Sequence, residues 1–290
     1  MSNPTLSFDL LRDIQEVLQF PFMVNALEAA TIVAVLAAVV GWYMVLRRQS
    51  FAGHTLSMMA FPGATGAALA GLPTALGYYL ACGVAALAMS ATGRSGRRRF
   101  ATESAAIGTV QATGLALGFL FLSLNSAVLG GMETFLFGNI LAVTRGQVLV
   151  LLIVALVALS LVAVIARPLL FASVDPEVAR ARGIPVALLD VGFLLLLGLA
   201  VAATSQITGV LLVFTLLVAP AAAAQLITAQ PVAGLLLSVA FALAVAWLGL
   251  GVAYFSIYPA SFFITMFAFG LYVAVRGARG ALARHRHGHG

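Results

Sequence analysis

RPLLFASVDPEVARARGIPVALLD, residues 167–190, interrupts the apolar second half of the chain. It gathers Asp175, Pro176, Glu177, Arg180 and Arg182 in a sequence of which only 8% is charged. Local chemistry gives these residues an order. Asp175 suits an N-cap, Pro176 the first helical position and Glu177 the first turn, because the first amides of a helix lack intrahelical acceptors and a proline there forfeits nothing. Gly183 suits the stop, and Pro185 prevents continuation. Acids at the start and Arg180 and Arg182 at the end complement the helix dipole. The stretch predicts a helix of about two turns across the cytoplasmic face, within a polar cytoplasmic segment of residues 171–185. A solvated loop joining two spans fits the same composition.

On both sides the chain is greasy. Apolar residues are 62% of 290 and the mean hydropathy is +1.10, far above a soluble domain, which is roughly half apolar and about a quarter charged. The class is therefore an all-α polytopic membrane protein. The single cysteine, Cys82, excludes an intrachain disulfide and a cysteine-based metal cluster. All fifteen basic residues are arginine. Without a lysine the chain has no P-loop and cannot hydrolyse ATP by that route. The net charge of +6 is spread between spans, where it reports orientation, and is no nucleic-acid footprint.

Residues 1–20 alternate apolar Leu6, Leu10, Leu11 and Ile14 with Asp9, Arg12, Asp13 and Glu16, the pattern of an amphipathic interfacial helix rather than a signal peptide. From 21 to 276 the chain reads as one transmembrane domain, and 277–290 as a basic, disordered cytoplasmic tail whose His285, His287 and His289 could alternatively collect metal. Nine candidate spans follow: 26–46, 55–72, 74–91, 104–124, 147–166, 189–205, 208–228, 231–251 and 257–275. Nine alternating spans place every arginine cluster on one side, with the N-terminus outside and the C-terminus cytoplasmic. Small residues at Gly63, Ala67 and Gly71, and at Gly114 and Gly118, predict close helix packing within the chain. Residues 132–143, too polar and glycine-rich for a span, predict a re-entrant or interfacial segment that could gate a cavity; a capping loop is the alternative.

Candidate chemistry is sparse. A cation path normally carries a buried acid or histidine. Glu28, Glu103 and Asp190 sit at predicted span ends and Glu133 in the outer loop. His54 opens the second span, and Met58 follows at i+4, on the same helix face. An imidazole and a thioether can bind a transition metal of the softer kind. An interfacial histidine beside packing methionines is the plainer reading. No nucleophile–base pair, paired carboxylates or HExxH suggests catalysis.

Several motifs, in order, resemble the permease subunits of metal-type ABC importers, the zinc/manganese/iron class. Phe51–Gly63, FAGHTLSMMAFPG, is similar to that family's F-x-G-D-A-L-S-H-A-V-L-P-G. Glu103–Gly108 resembles its E/D-T-A-I-G. Phe135–Leu141 carries L-F-G-N-I-L, Asp175–Pro185 carries D-P-E-x-A-R-A-x-G-x-P, and Thr208–Leu212 with Leu216–Ala222 resembles V-G-x-L-L…LL-V-A-P-A-A. The resemblance implies a type II ABC importer permease fold of about nine transmembrane helices in a bacterial cytoplasmic membrane. It implies an identical second permease, two copies of an ABC ATPase subunit and an external metal-binding lipoprotein. ATP is then used by the partner, this chain binds no cofactor, and its surroundings are membrane lipid. A divalent transition metal would be the substrate, zinc first, manganese or iron next. Asp175, Pro176, Glu177, Ala179, Arg180, Arg182 and Gly183 would form the coupling helix. Ser57, Pro62, Phe137 and Asn139 would line the gate or pathway. The family's metal-contacting Asp and His fall at His54 and Met58, so the hard carboxylate is gone, which weakens manganese. A gradient-driven secondary transporter, or an ABC permease for a non-metal substrate, is the alternative function.

Overall fold

Backbone that crosses lipid must satisfy its own hydrogen bonds, and this chain does so with helices throughout its described residues. The computed structural model describes residues 19–92, 100–124 and 132–287, with side chains described there except at 92, 100–107, 132, 133 and 282–287. The predicted interfacial helix, the basic run at 94–99, and the side chains of Glu103, Glu133 and the tail histidines lie outside. The elements are α1 (Pro21–Leu46), α2 (Ser50–Leu69), α3 (Thr74–Thr92), α4 (Phe100–Leu124), α5 (Met132–Phe137), a 3-10 turn (Ile140–Ala142), α6 (Arg145–Val174), α7 (Pro176–Ala181), α8 (Val186–Ile227), α9 (Pro231–Tyr254) and α10 (Ala260–His287).

Six of these helices are long and apolar enough to cross a membrane: α1, α3, α6, α8, α9 and α10. Some boundaries differ from those expected, for physical reasons. The spans expected at 189–205 and 208–228 are two helices that follow one another within α8 and meet at a kink, with non-helical backbone at Gly209 (φ 76°, ψ 163°). If straight, α8 would run about 63 Å, twice the hydrocarbon thickness of about 30 Å. The gap expected between residues 205 and 208 is helical. Thr204 and Thr208 donate their hydroxyls back to the Ala200 and Thr204 carbonyls, at 2.7 and 3.0 Å, so polarity there stays inside the helix. The break falls instead where a glycine tolerates positive φ. Likewise the chain does not leave its helix at Arg167-Pro168; α6 continues through Pro168 to Val174. The last helix also continues through the expected tail to His287.

The chain divides into two compact units. One comprises Met1–Val45, Asn139–Leu152 and Thr215–Gly290. Its centre is α1, lined with buried Ala26, Ala30, Val33, Ala37 and Val40. Small residues bring backbones together, so polar side chains reach α1 directly. Gln225 Nε2 donates to the Trp42 carbonyl (2.9 Å), Ser238 Oγ to that of Ala38 (3.3 Å), and Trp247 Nε1 to Thr31 Oγ1 (3.0 Å). Asn25 Nδ2 donates to the Val143 carbonyl (3.3 Å). α9 packs on α10, where Gly249 admits Ile264.

The other unit comprises Leu46–Gly138 and Ile153–Phe214 and is organised around α2, which packs on α3, α4 and α5. α2 carries Gly, Ser, Thr and His, and its buried face includes Thr55, Ser57 and Thr65. Gly63 meets the backbone of Gly77 on α3, while Gly114 and Gly118 of α4 admit Met59 and Phe61. The expected intrachain packing is thus found, with one correction. Gly71 faces open space where a Cβ would stand; at φ +71° it ends α2, with the Leu72 amide bonded to the Ala67 carbonyl (2.9 Å).

Space decides which glycines can change. A Cβ at Gly77 would collide with the Gly63 carbonyl, whereas Gly83 has open space. Gly77→Val is expected to lower the melting temperature in detergent by about 5 °C or more. Gly83→Ala should match or exceed the wild type, since it removes a helix-interior glycine. Scanning fluorimetry of both variants checks the pair.

Candidate functional site

Four residues, Asp175 to Val178, set the coupling segment. Asp175 is extended (φ −141°, ψ 93°), and its Oδ1 accepts from the amides of Glu177 (3.1 Å) and Val178 (3.0 Å). Pro176 occupies the first turn, with Glu177 beside it and Arg180 in the last. The C-terminus closes in a Schellman arrangement: the Gly183 amide donates to the Arg180 carbonyl and the Ile184 amide to that of Ala179, both at 3.0 Å, with Gly183 at φ +80°. The result is α7, a six-residue helix capped at both ends. Ala179 is its buried anchor; Glu177, Val178, Arg180 and Arg182 are exposed. Arg182 turns back over the Phe171 ring, 5.4 Å from its centroid.

The stems of this segment meet a residue that the sequence presents only as a topological charge. Arg47 follows α1, and its side chain is 7% exposed. Its Nη2 is bonded to Asp190 Oδ1 on α8, its Nη1 to Ser173 Oγ on α6 (3.1 Å), and its Nε to Gln49 Oε1 (3.4 Å). The Phe193 ring covers one face. A buried guanidinium is tolerable only when its donors are matched in this way.

On α2, His54 is half-buried with its ring edge-on to Phe214, centroids 4.7 Å apart. Gln111 of α4 lies beside it. Thr55 Oγ1 donates to the Phe51 carbonyl (3.0 Å) and lies 3.4 Å from one end of the Gln111 amide, whose other end lies 3.3 Å from His54 Nε2. His54 Nδ1 is buried without a partner. Ser57 is fully buried and donates to the His54 carbonyl (2.7 Å). Met58 is half-buried one turn on, and Met59 packs on Gly114. Pro62 is buried inside α2 and removes the helical donor to the Met58 carbonyl. The structure thus joins His54 to Ser57 and adds Gln111, which a search for acids and histidines passes over; a lone amide in the apolar run of α4 was its signal. Among the described residues no three His, Cys, Asp or Glu side chains gather as a metal cluster.

The remaining expected pathway residues lie where α5 ends. Phe137 is largely exposed, and Gly138 follows at φ +72°. The backbone of Leu136–Gly138 lies against Ile207–Gly209, so a Cβ on either Gly138 or Gly209 would strike the other segment's backbone. The L-F-G-N and T-G-V motifs are thereby one contact, glycine against glycine. Asn139 is exposed and precedes the 3-10 turn without a side-chain capping bond.

Long apolar helices, with a capped polar segment between two of them and a sparse polar cluster on a third, define a multi-pass membrane protein. Residues 19–277 match the model of the ABC 3 transport family. The chain is 32% identical over 228 residues to the manganese transport system membrane protein MntC of Halalkalibacterium halodurans, covering 79% of this chain and 75% of that one. It is 33% identical over 239 residues to the chelated iron transport system membrane protein YfeC of Yersinia pestis, covering 82% and 79%. Its fold is similar to a chain of PsaBC from Streptococcus pneumoniae in complex with Fab, with a TM-score of 0.81, 28% identity and 92% and 95% coverage. An inward-facing metal-chelate type ABC transporter shares the fold at a TM-score of 0.73 and 18% identity. The chain belongs to the ABC 3 transport family, and is a permease subunit of the metal-type ABC class.

The caps of α7 carry their own test. Asp175→Ala removes an acceptor from two amides, and Gly183→Ala puts a side chain at positive φ; each costs about 1 kcal/mol. Amide exchange across 176–182 should accelerate about fivefold in either variant. Asp175→Asn, which keeps a capping oxygen, should stay within about twofold. Equal exchange in all three would remove the caps from the account.

Proposed function

We propose that this chain is the membrane path and the lever of an ATP-driven importer for a divalent transition-metal cation, working as a pair of identical permeases with two ATPase subunits and fed by an external metal-binding lipoprotein. The observation that carries this reading is α7: a short helix capped at both ends that presents Glu177, Arg180 and Arg182 outward between the ends of two long helices. A partner that hydrolyses ATP needs a rigid handle, and a flexible loop would absorb its movement. Asp175, Pro176 and Gly183 make the helix, Ala179 seats it, and Glu177, Arg180 and Arg182 meet the ATPase. Orientation follows the arginines, with the N-terminus outside and α7 in the cytoplasm.

The ion passes His54 and Met58, with Ser57 and Pro62 shaping the path and Phe137 and Asn139 at the outer gate. An imidazole and a thioether are neutral, borderline-to-soft donors, a pair that favours zinc over manganese. Relatives named for manganese and iron transport keep those ions as the next choices. With Gln111 Oε1 facing the ring, Oε1 accepts from Nε2–H and Nδ1 keeps a lone pair for the ion. A site of neutral donors holds its ion briefly, which suits passage.

Uptake in vesicles with and without the co-expressed ATPase tests the class: uptake must require both ATPase and ATP. Glu177→Ala or Arg180→Ala should cut metal uptake at least tenfold while the chain stays membrane-inserted; normal uptake in both would remove the coupling role.

His54→Ala should lower uptake of radioactive zinc about tenfold, and more than deletion of residues 284–290 does. The reverse ranking would move the site to the tail. Manganese outcompeting zinc at equal concentration would overturn the choice of ion.

A further inference from the structure

Arg47 spends all three guanidinium nitrogens on three different parts of its unit. Nη1 reaches Ser173, the penultimate residue of α6; Nη2 reaches Asp190, in the second turn of α8; Nε returns to Gln49, the N-cap of α2. Ser173 and Asp190 are the two stems that flank α7. The next residue, Arg48, is the one non-glycine with positive φ among the described residues (φ 56°). A left-handed arginine persists only where its surroundings over-determine it, so the turn that launches α2 is held tightly. Seven residues beyond Arg47, on α2, stands His54.

We propose that Arg47 is a positioning residue that locks both stems of the coupling segment to the start of α2, so that displacement of α7 is delivered to the helix carrying His54. This rests on the proposed coupling role of α7. The chemistry favours a lock over a passive ion pair. The planar fork fixes the directions to Ser173 and Asp190 together, which an ammonium cannot do. The Phe193 face and near-complete burial of Arg47 keep water from competing, although Asp190 itself is 44% exposed. Ser173 is steadied in turn, since its hydroxyl donates to the Leu169 carbonyl at 2.5 Å and so offers Arg47 a lone pair. Were the guanidinium only a neutralising charge, Asp190 alone would suffice; the contact to the opposite stem would have no purpose.

The test uses the complete transporter, permease with ATPase, in proteoliposomes supplied with zinc, and reads zinc transported per ATP hydrolysed. That ratio is taken on assembled complex, so a loss of folded protein alone does not move it. Arg47→Gln should lower the ratio at least tenfold while the ATPase still copurifies and hydrolyses ATP. Arg47→Lys, which keeps the charge without the fork, should recover less than half of the loss. Ser173→Ala, a deletion of one oxygen at a helix end, should lower the ratio two- to fivefold, and Asp190→Asn should fall between these. If Arg47→Gln does not assemble, Ser173→Ala and Asp190→Asn decide alone. Wild-type ratios in those two overturn the proposal, as does full rescue by lysine. Wild-type transporter that takes up zinc without ATP would instead overturn the coupling reading itself, so the two failures are separable.

Discussion

An amide or carbonyl without a partner in hydrocarbon costs several kcal/mol, and that constraint governs where this chain can stop being helical. The interior break of α8 occurs at Gly209, and Leu136–Gly138 lies directly on it. Both contacting residues are glycines at positive φ, because only without Cβ atoms can two irregular backbones come this close. The end of α5 and the break in α8 therefore depend on each other. Neither would be admissible with apolar side chains in its place, which is why two motifs about seventy residues apart read as one device once folded.

The same constraint explains what could and could not be read from residue order. The caps of α7 were legible because capping is local: Asp175, Pro176 and Gly183 act within a few residues of themselves, and the observed bonds are those their chemistry calls for. The helix breaks were less legible. A polar cluster such as Thr204–Thr208 looks like a loop in a hydropathy profile, yet hydroxyls that bond the preceding turn remove the reason to leave the helix. Pro168 looks like an exit, yet a proline subtracts one donor and α6 carries on around it. Gly71 matches the spacing of a packing seam, and only its backbone conformation shows that it terminates α2 instead.

Contacts at long range were illegible for another reason. Nothing near Arg47 distinguishes it from Arg48, and both count equally as positive charge beside a span. Their environments diverge: Arg47 is buried among Asp190, Ser173 and Phe193, whereas Arg48 is exposed. Separations of 126 and 143 residues carry no periodic trace. Gln111 was hidden similarly, since an amide in an apolar helix has no preferred partner until the fold supplies Thr55 and His54.

That small network also bears on how a site without carboxylates can serve a divalent ion. Thr55 lies beside the Gln111 amide, the amide lies 3.3 Å from His54 Nε2, and His54 Nδ1 is buried without a partner. An unsatisfied buried nitrogen makes the resting cluster less stable than it need be. With Gln111 Oε1 facing the ring, the proton sits on Nε2 and Nδ1 keeps a lone pair for a positive charge. Occupancy by a cation would then relieve a defect already present, with no carboxylate to desolvate. The affinity gained that way is modest. For the path proposed above, which must release its ion at every cycle, modest affinity would be the useful outcome, and it would follow from replacing charged donors by neutral ones at a position where the protein already holds a histidine in an imperfect bond.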